Sequence, residues 1–385
     1  MNKPKISGIS GNEMYCLIKE GYRPGEIVIG NSVYSLGMIG STLSSIRNFF
    51  GGEIFEITDF IQKGRELAID RMEAEAEKLG ENGITDVTTE IVSHMSNSNL
   101  EFLSVGSGVT KGEVVPGQQT KLEFSTSIDA SELYCNLDAG YSPKRFVFGN
   151  VAYSIGAVGG LLGSLRTLGR GEVPEYSQVM NKTRHLALER IESEAKEAGG
   201  NAVLNIETRI MPYMQGVTEM VMIGTASHNP SLVPLTNGKP ITSDLTSSEL
   251  WSITNMGYQP VKLVLGTSIY SLGVVGSLIS QFKSIFKGEI SELTNLVYDA
   301  RENALNLIRK EAEEIGADDI VGVKTYMYEL GGGLLEFMAI GTAIKKVDNL
   351  KTKSDQLIPQ AIIVDKSTYF NNISGHIDVT ANKLS

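Results

Sequence analysis

The sequence predicts a mixed α+β chain built from three tandem copies of one small domain, each preceded by a short capped helix. Three observations carry this. A Gly-Tyr-x-Pro step recurs at Gly21–Pro24, Gly140–Pro143 and Gly257–Pro260, with spacings of 119 and 117 residues. At those offsets nearly all other features align without a gap. Each copy then reads as strand, long amphipathic helix and two further strands. A repeat of this period has to be recognised before anything else, because it sets the architecture.

Each copy opens on a helix-start signal: Ser10-x-x-Glu13, Asp129-x-x-Glu132 and Thr246-x-x-Glu249. The first side chain can cap free backbone N–H groups and the glutamate can return the bond. The helix should stop at Gly21, Gly140 or Gly257, where a left-handed residue is cheap. A strand follows at Ile27–Ile29, Phe146–Phe148 and Leu263–Leu265. It runs into a glycine-rich segment carrying Gly30, Gly37 and Gly40, then Gly149, Gly156 and Gly159, then Gly266, Gly273 and Gly276. These glycines are expected to permit a tight strand-to-helix turn and close backbone approach.

A Gly-Glu step (Gly52-Glu53, Gly171-Glu172, Gly288-Glu289) precedes the long helix. Its apolar stripes are Ile61, Gly64, Ala68, Met72, Ala76, Leu79, then Met180, Thr183, Ala187, Ile191, Ala195, Ala198, then Val297, Ala300, Ala304, Ile308, Ala312, Ile315. That spacing is one face of an α-helix, and its small residues suit close packing on a sheet. Gly80, Gly199 and Gly316 should end it. The last strands are Ile84–Ser93 with Leu100–Val109, Val203–Met211 with Glu219–Ala226, and Ile320–Tyr328 with Leu335–Ile344. Both alternating faces of Glu336–Ala343 are apolar or small, so a second layer is expected to cover the sheet, either another copy or another chain. The predicted boundaries are 8–111, 129–229 and 246–347, with polar linkers at 112–128 and 230–245 and a tail at 348–385. Ala361–Val364 in the tail is expected to add an edge strand.

Composition bounds the partners. The chain has 385 residues, 41% hydrophobic and 21% charged, as in globular proteins. A net charge of -11 without a basic stripe argues against nucleic acid. Two cysteines, Cys16 and Cys135, are too few for a disulfide framework and point to a reducing, cytoplasmic setting. Met1–Ser10 has no apolar core of a secretory leader.

The series Lys63-x-Arg65-Glu66-x-Ala68, Glu75-Ala76 and Gly80 resembles the YbjQ-like family. So do Arg184, Glu194-Ala195 and Gly199, and Arg301, Glu311-Ala312 and Gly316-Ala317, with the Gly-Thr-Ala ends at Gly224–Ala226 and Gly341–Ala343. The resemblance covers all three copies. It implies a two-layer β-α-β-β domain of dodecin-like type that associates through its sheets into closed rings, typically pentameric. It implies no established reaction, and a divalent metal only by the family's heavy-metal label. The chain departs from the family in its three copies, its capped helices, and Glu53 where an arginine is expected.

Candidate chemistry is sparse. The histidines His94, His185, His228 and His376 do not recur between copies, and Cys16 and Cys135 are matched by Ser252 in the third, so no metal ligand set is assigned. The glycine segment lacks the Walker and Rossmann spacings, which leaves phosphate binding the minority reading. The pairs Tyr34-Ser35, Tyr153-Ser154 and Tyr270-Ser271 recur without a recurring base, so packing is favoured over nucleophilic catalysis. Arg65, Arg184 and Arg301 recur, as do Glu75, Glu194 and Glu311, and Glu101, Glu219 and Glu336. Ion pairing within a copy or across an interface is expected of them, ahead of a ligand site.

Uncharged stretches at Ile27–Ile46, Phe146–Leu165 and Leu263–Phe282 have membrane-span length, but their Gly, Ser, Asn and Thr content argues against spanning. Peripheral contact through Leu161–Leu165 and Leu168 stays open. The leading expectation is a non-enzymatic homo-oligomeric scaffold of stacked rings, pentameric, with each linker stepping to another ring. Metal or small-ligand sensing, peripheral membrane scaffolding, and three copies closing on themselves are the alternatives. No catalytic residue is assigned.

Overall fold

A computed structural model of the chain describes residues 4–35, 53–94, 99–112, 119–154, 171–214, 217–234, 238–272, 291–331, 334–348 and 350–362. Copy one comprises α1 (Gly11–Lys19), β1 (Tyr22–Ser35), α2 (Phe55–Leu79), β2 (Gly83–His94) and β3 (Asn99–Lys111). A short strand, β4 (Phe124–Ser125), follows in the first linker. Copy two comprises α3 (Ala130–Asp138), β5 (Ser142–Ser154), β6 (Gly171–Glu172), α4 (Pro174–Glu197), β7 (Ala202–Met214) and β8 (Val217–His228). The second linker holds β9 (Ile241–Thr242). Copy three comprises α5 (Ser247–Asn255), β10 (Tyr258–Ser271), α6 (Ser291–Glu314), β11 (Asp319–Gly331) and β12 (Leu334–Lys346).

The local signals act as the chemistry requires. Ser10, Asp129 and Thr246 cap the short helices, each accepting the N–H of the glutamate three residues on. Thr246 and Glu249 form the full reciprocal box. Gly21, Gly140 and Gly257 take φ values of 81°, 89° and 79°, and the ladder register shifts beside the following prolines. Proline has no N–H to give the ladder, so it sits where pairing is already broken.

Each copy pairs its first strand with its last and its last with the middle one, all antiparallel, giving β1-β3-β2-β4, β5-β8-β7-β9 and β11-β12-β10-β6. The linkers are more than spacers. β4 runs parallel to β2, and β9 parallel to β7. The first strands are longer than the sequence suggested. They pass straight through Gly30, Gly149 and Gly266, which therefore do not form a turn. A Cβ at these positions would lie 2.0, 2.1 and 2.5 Å from the carbonyl oxygens of Ala68, Ala187 and Ala304. The glycines let strand and helix backbones touch. Gly37, Gly40, Gly156, Gly159, Gly273, Gly276 and Leu161–Leu168 lie outside the described residues.

Strand alternation then builds the whole chain. In β5, Val147, Val151 and Tyr153 pack with copy two's own helix. The opposite residues Phe146 and Phe148 pack with Ile69, Met72 and Ala76 on α2 of copy one. In β10, Leu263 and Leu265 pack in the same way with Leu188 and Ile191 on α4 of copy two. The sheets of copies two and three are thus covered on both faces, by their own helix and by the helix of the preceding copy. Each large apolar side chain so buried contributes roughly 1.5–3 kcal/mol. The stacked arrangement, with a linker stepping each copy into a separate layer, is not the one the chain adopts: the copies lie side by side. Leu79, placed on the helix stripe by spacing, is exposed.

The short helices α1, α3 and α5 pack in sequence, joined by the segment after copy three. There Asp138 accepts the indole N–H of Trp251 at 2.6 Å and the Ser354 hydroxyl at 2.8 Å. Pro359–Ala361 forms a 3-10 turn against α1 and α3, so Ala361 and Ile362 do not extend a sheet.

Candidate functional site: the copy-to-copy interface

The recurring arginines and glutamates meet across the copies. Arg65 on α2 forms a two-pronged ion pair with Glu219 on β8, at 2.5 and 2.7 Å. Arg184 on α4 does the same with Glu336 on β12, at 2.9 Å to each oxygen. All four side chains are buried. Burial alone would lower the Arg184 pKa, but the Glu336 carboxylate outweighs it and raises the guanidinium's pKa above its ordinary value. Asn150 also donates to Glu219, at 2.9 Å. Arg301 on α6 and Glu101 on β3, the remaining members of the two series, are not brought together. Arg301 is exposed, over the ring of Phe337, and Glu101 accepts from Asn31 at 2.9 Å.

Around each pair the preceding copy grips the next strand by its backbone. Thr58 accepts the N–H of Ala152, and Ser177 accepts that of Ile269, both at 2.9 Å. Ser125 and Thr242 in the linkers accept the N–H groups of Phe146 and Leu263 at 3.1 and 2.8 Å. The Gly-Glu step adds an edge: Glu53 bridges Tyr153, and β6 pairs antiparallel with Tyr270–Ser271. Glu53, at the position where the family's arginine was expected, pairs with Arg190 of copy two at 2.6 Å. The gripping hydroxyls escaped the sequence reading, although Thr58 and Ser177 stand at one repeat position and announce a shared role.

The other recurring residues are structural. Glu75, Glu194 and Glu311 accept the strand N–H groups of Ile29, Phe148 and Leu265 within their own copies, at 2.6, 3.0 and 3.1 Å. Tyr34 packs edge-on to Phe60 and Phe102. Tyr153 is buried beside the Arg184 guanidinium, and burial pushes its hydroxyl up, away from nucleophilic use. The Tyr270 hydroxyl bonds Asn303 at 2.6 Å.

The donor set does not fit a soft metal. Cys16 and Cys135 are buried, and burial pushes the Cys135 thiol up to about 12, away from the thiolate a metal binds. His185 is engaged by the Asn181 carbonyl and Glu311. Among the described residues no group of three or more His, Cys, Asp or Glu side chains is placed to hold an ion, and no helix is long and apolar enough to cross a membrane.

Three side-by-side β-α-β-β units joined by a repeated buried contact define a tandem-repeat protein. The chain belongs to the YbjQ family, described as "Putative heavy-metal-binding", which matches residues 20–112, 141–229 and 252–347. It is 33% identical over 231 residues to an encapsulin nanocompartment protein of Mycobacterium tuberculosis, covering 58% of this chain and 86% of that one. It is 36% identical over 89 residues to a UPF0145 protein of Methanococcus maripaludis, covering 23% of this chain and 80% of the relative. A UPF0145 protein of Methanocella arvoryzae is 36% identical over 81 residues, 21% of this chain and 68% of that one.

Proposed function

We propose that this protein is a non-enzymatic assembly component that associates with itself. The observation that carries the reading is the interface made twice within one chain, around Arg65–Glu219 and Arg184–Glu336. Its polar groups are spent on holding one domain to the next. The mycobacterial relative's name, which places it with an encapsulin nanocompartment, supports a part in protein assembly. In a closed ring, whole chains supplying three neighbouring positions would give a multiple of three domains. A ring of five single domains is incompatible with that, whereas a ring of several whole chains is not.

The test is native mass by light scattering on a sizing column, across a concentration series and with and without chelator. Assembly predicts a multiple of the 41.7 kDa chain mass, unchanged by chelation. A single-chain mass at every concentration would rule the reading out.

A further inference from the structure

The two ends of the chain carry the two halves of the interface that joins its copies. On copy one, the sheet face equivalent to the buried faces of copies two and three is open to solvent. Ile29 is 51% exposed, whereas its equivalents Phe148 and Leu265 are 3% and 1% exposed. Val33 is 58% exposed, against 0% for Ala152 and Ile269. On copy three, the groove that would receive such a face is open. Val323 is 43% exposed, against 2% and 3% for Val87 and Ile206, which the next copy covers. The groove has a volume of about 400 Å³, and Leu305, Ile308 and Ala312 form its apolar wall. Beside it stands exposed Arg301, at the position of Arg65 and Arg184.

We infer that the occupant of the copy-three groove is copy one of a second molecule of this chain, joined head to tail with Arg301 paired to Glu101. The inference rests on the self-assembly reading and names its surfaces. Chemistry corresponds at several of the points where the internal contacts are made, although Ile6 stands where Ser125 and Thr242 offer a hydroxyl. Glu101 already accepts from Asn31, as Glu219 accepts from Asn150. The linker strands β4 and β9 pair in parallel with Gly83–Ile84 and Ala202–Val203. Their repeat equivalents are Lys5–Ile6, where Ile6 already accepts the N–H of Ile27. The matching edge on copy three is Asp319–Ile320. Docking therefore sets Lys5 against Asp319, an opposite-charge pair found only at this junction. Such a contact joins two different surfaces, so it propagates until it closes or runs on as a filament.

The experiment uses two single-end variants of the full chain, Ile29→Arg to block the sheet face and Val323→Arg to block the groove. Both sites are exposed, so each variant should retain the wild-type circular dichroism. Where the wild type assembles, each variant alone should fall to the 41.7 kDa chain mass. Mixed in equal amounts, the two should give a two-chain species and nothing larger, because each supplies one intact end. In a separate pair, Glu101→Arg should dissociate the assembly, and adding Arg301→Glu in the same chain should restore it. Variants that assemble like the wild type, or a mixture that stays at single-chain mass, would overturn the head-to-tail contact while leaving self-assembly standing. A wild type that is itself a single chain at all concentrations would sink both.

Discussion

Replacing Glu336 with glutamine strips the charge from the carboxylate that holds copy two to copy three. Arg184 and Glu336 are fully buried and share contacts at 2.9, 2.9 and 3.2 Å. The guanidinium cannot shed its proton, so it is left charged and uncompensated. Removing one partner of such a pair costs roughly 3–5 kcal/mol. Thr267 lies 3.5 Å from the same carboxylate and the Tyr153 ring faces the guanidinium at 4.8 Å, so neither replaces the lost charge. Replacing both partners with apolar residues of similar volume, Arg184→Met with Glu336→Leu, should recover most of the loss, because the desolvation penalty disappears with the charges. Urea unfolding of the wild type, Arg184→Met, Glu336→Leu and the double variant closes a double-mutant cycle and gives the coupling energy, with Glu336→Gln measured beside it, all in dilute protein so that assembly does not contribute. The cycle is interpreted only while tryptophan fluorescence and circular dichroism report one transition, since repeat proteins can unfold in parts. Trp251 lies in copy three and reports that junction. A loss under about 1 kcal/mol for Glu336→Gln would refute the claim that this pair locks the copies.

Three further outcomes follow from local geometry. Gly149→Ala should destabilise the chain by about 1–3 kcal/mol in urea, because its Cβ would sit 2.1 Å from the Ala187 oxygen, against helix backbone that cannot swing away. The Glu132 carboxyl is pushed up to about 8 by desolvation first and by the Asp129 charge second, with Asp86 and Glu249 also facing it and the Ser247 N–H opposing. A carboxyl raised above its ordinary 4.5 holds its proton more tightly when folded. Its contribution is complete below that value and lost as pH rises through about 8, so the melting temperature should fall over that range and fall less in Glu132→Gln. Cys16 and Cys135 are buried, with both thiol pKa values raised, so an exchange reagent should label them slowly in native protein and rapidly in urea.

The repeat, its helices and its strand pairs were legible because each is a local pattern: a cap three residues before a glutamate, a four-residue helical stripe, an alternating strand. The need for a cover over the second sheet face was legible too, from the apolar alternation of Glu336–Ala343. What the sequence hid was which copy meets which. Arg184 could have reached Glu219 of its own copy or Glu336 of the next, since both spacings repeat alike. Only the packing of α4 under β10 decides between them. Gly30, Gly149 and Gly266 were misplaced into a turn for a related reason. A glycine in a strand and a glycine in a loop look alike until the helix backbone that excludes a Cβ is in position. The linker strands β4 and β9, two residues each, are too short to carry any period.

Fusing three copies makes two of the interfaces intramolecular. Those contacts form at an effective concentration set by the linkers, independent of how much protein is present. Only the end-to-end contact responds to concentration, and its surfaces differ accordingly. The edge of copy three carries Asp318-Asp319 where the internal copies carry Asn82-Gly83 and Asn201-Ala202. Charged residues on an open strand discourage indiscriminate edge pairing. The same aspartates are matched by Lys5 on the incoming copy, which the internal linkers replace with Phe124 and Ile241. Apolar linker residues suffice where the linker is covalently delivered to its place. At the junction between molecules, a charge pair adds selection among partners to attraction. Lys5→Glu should therefore weaken assembly, more at low salt than at high salt. It also removes the Lys5 ammonium from buried Glu81, 3.8 Å away in the same chain, so the isolated chain should lose stability too, and urea unfolding of dilute protein measures that part separately.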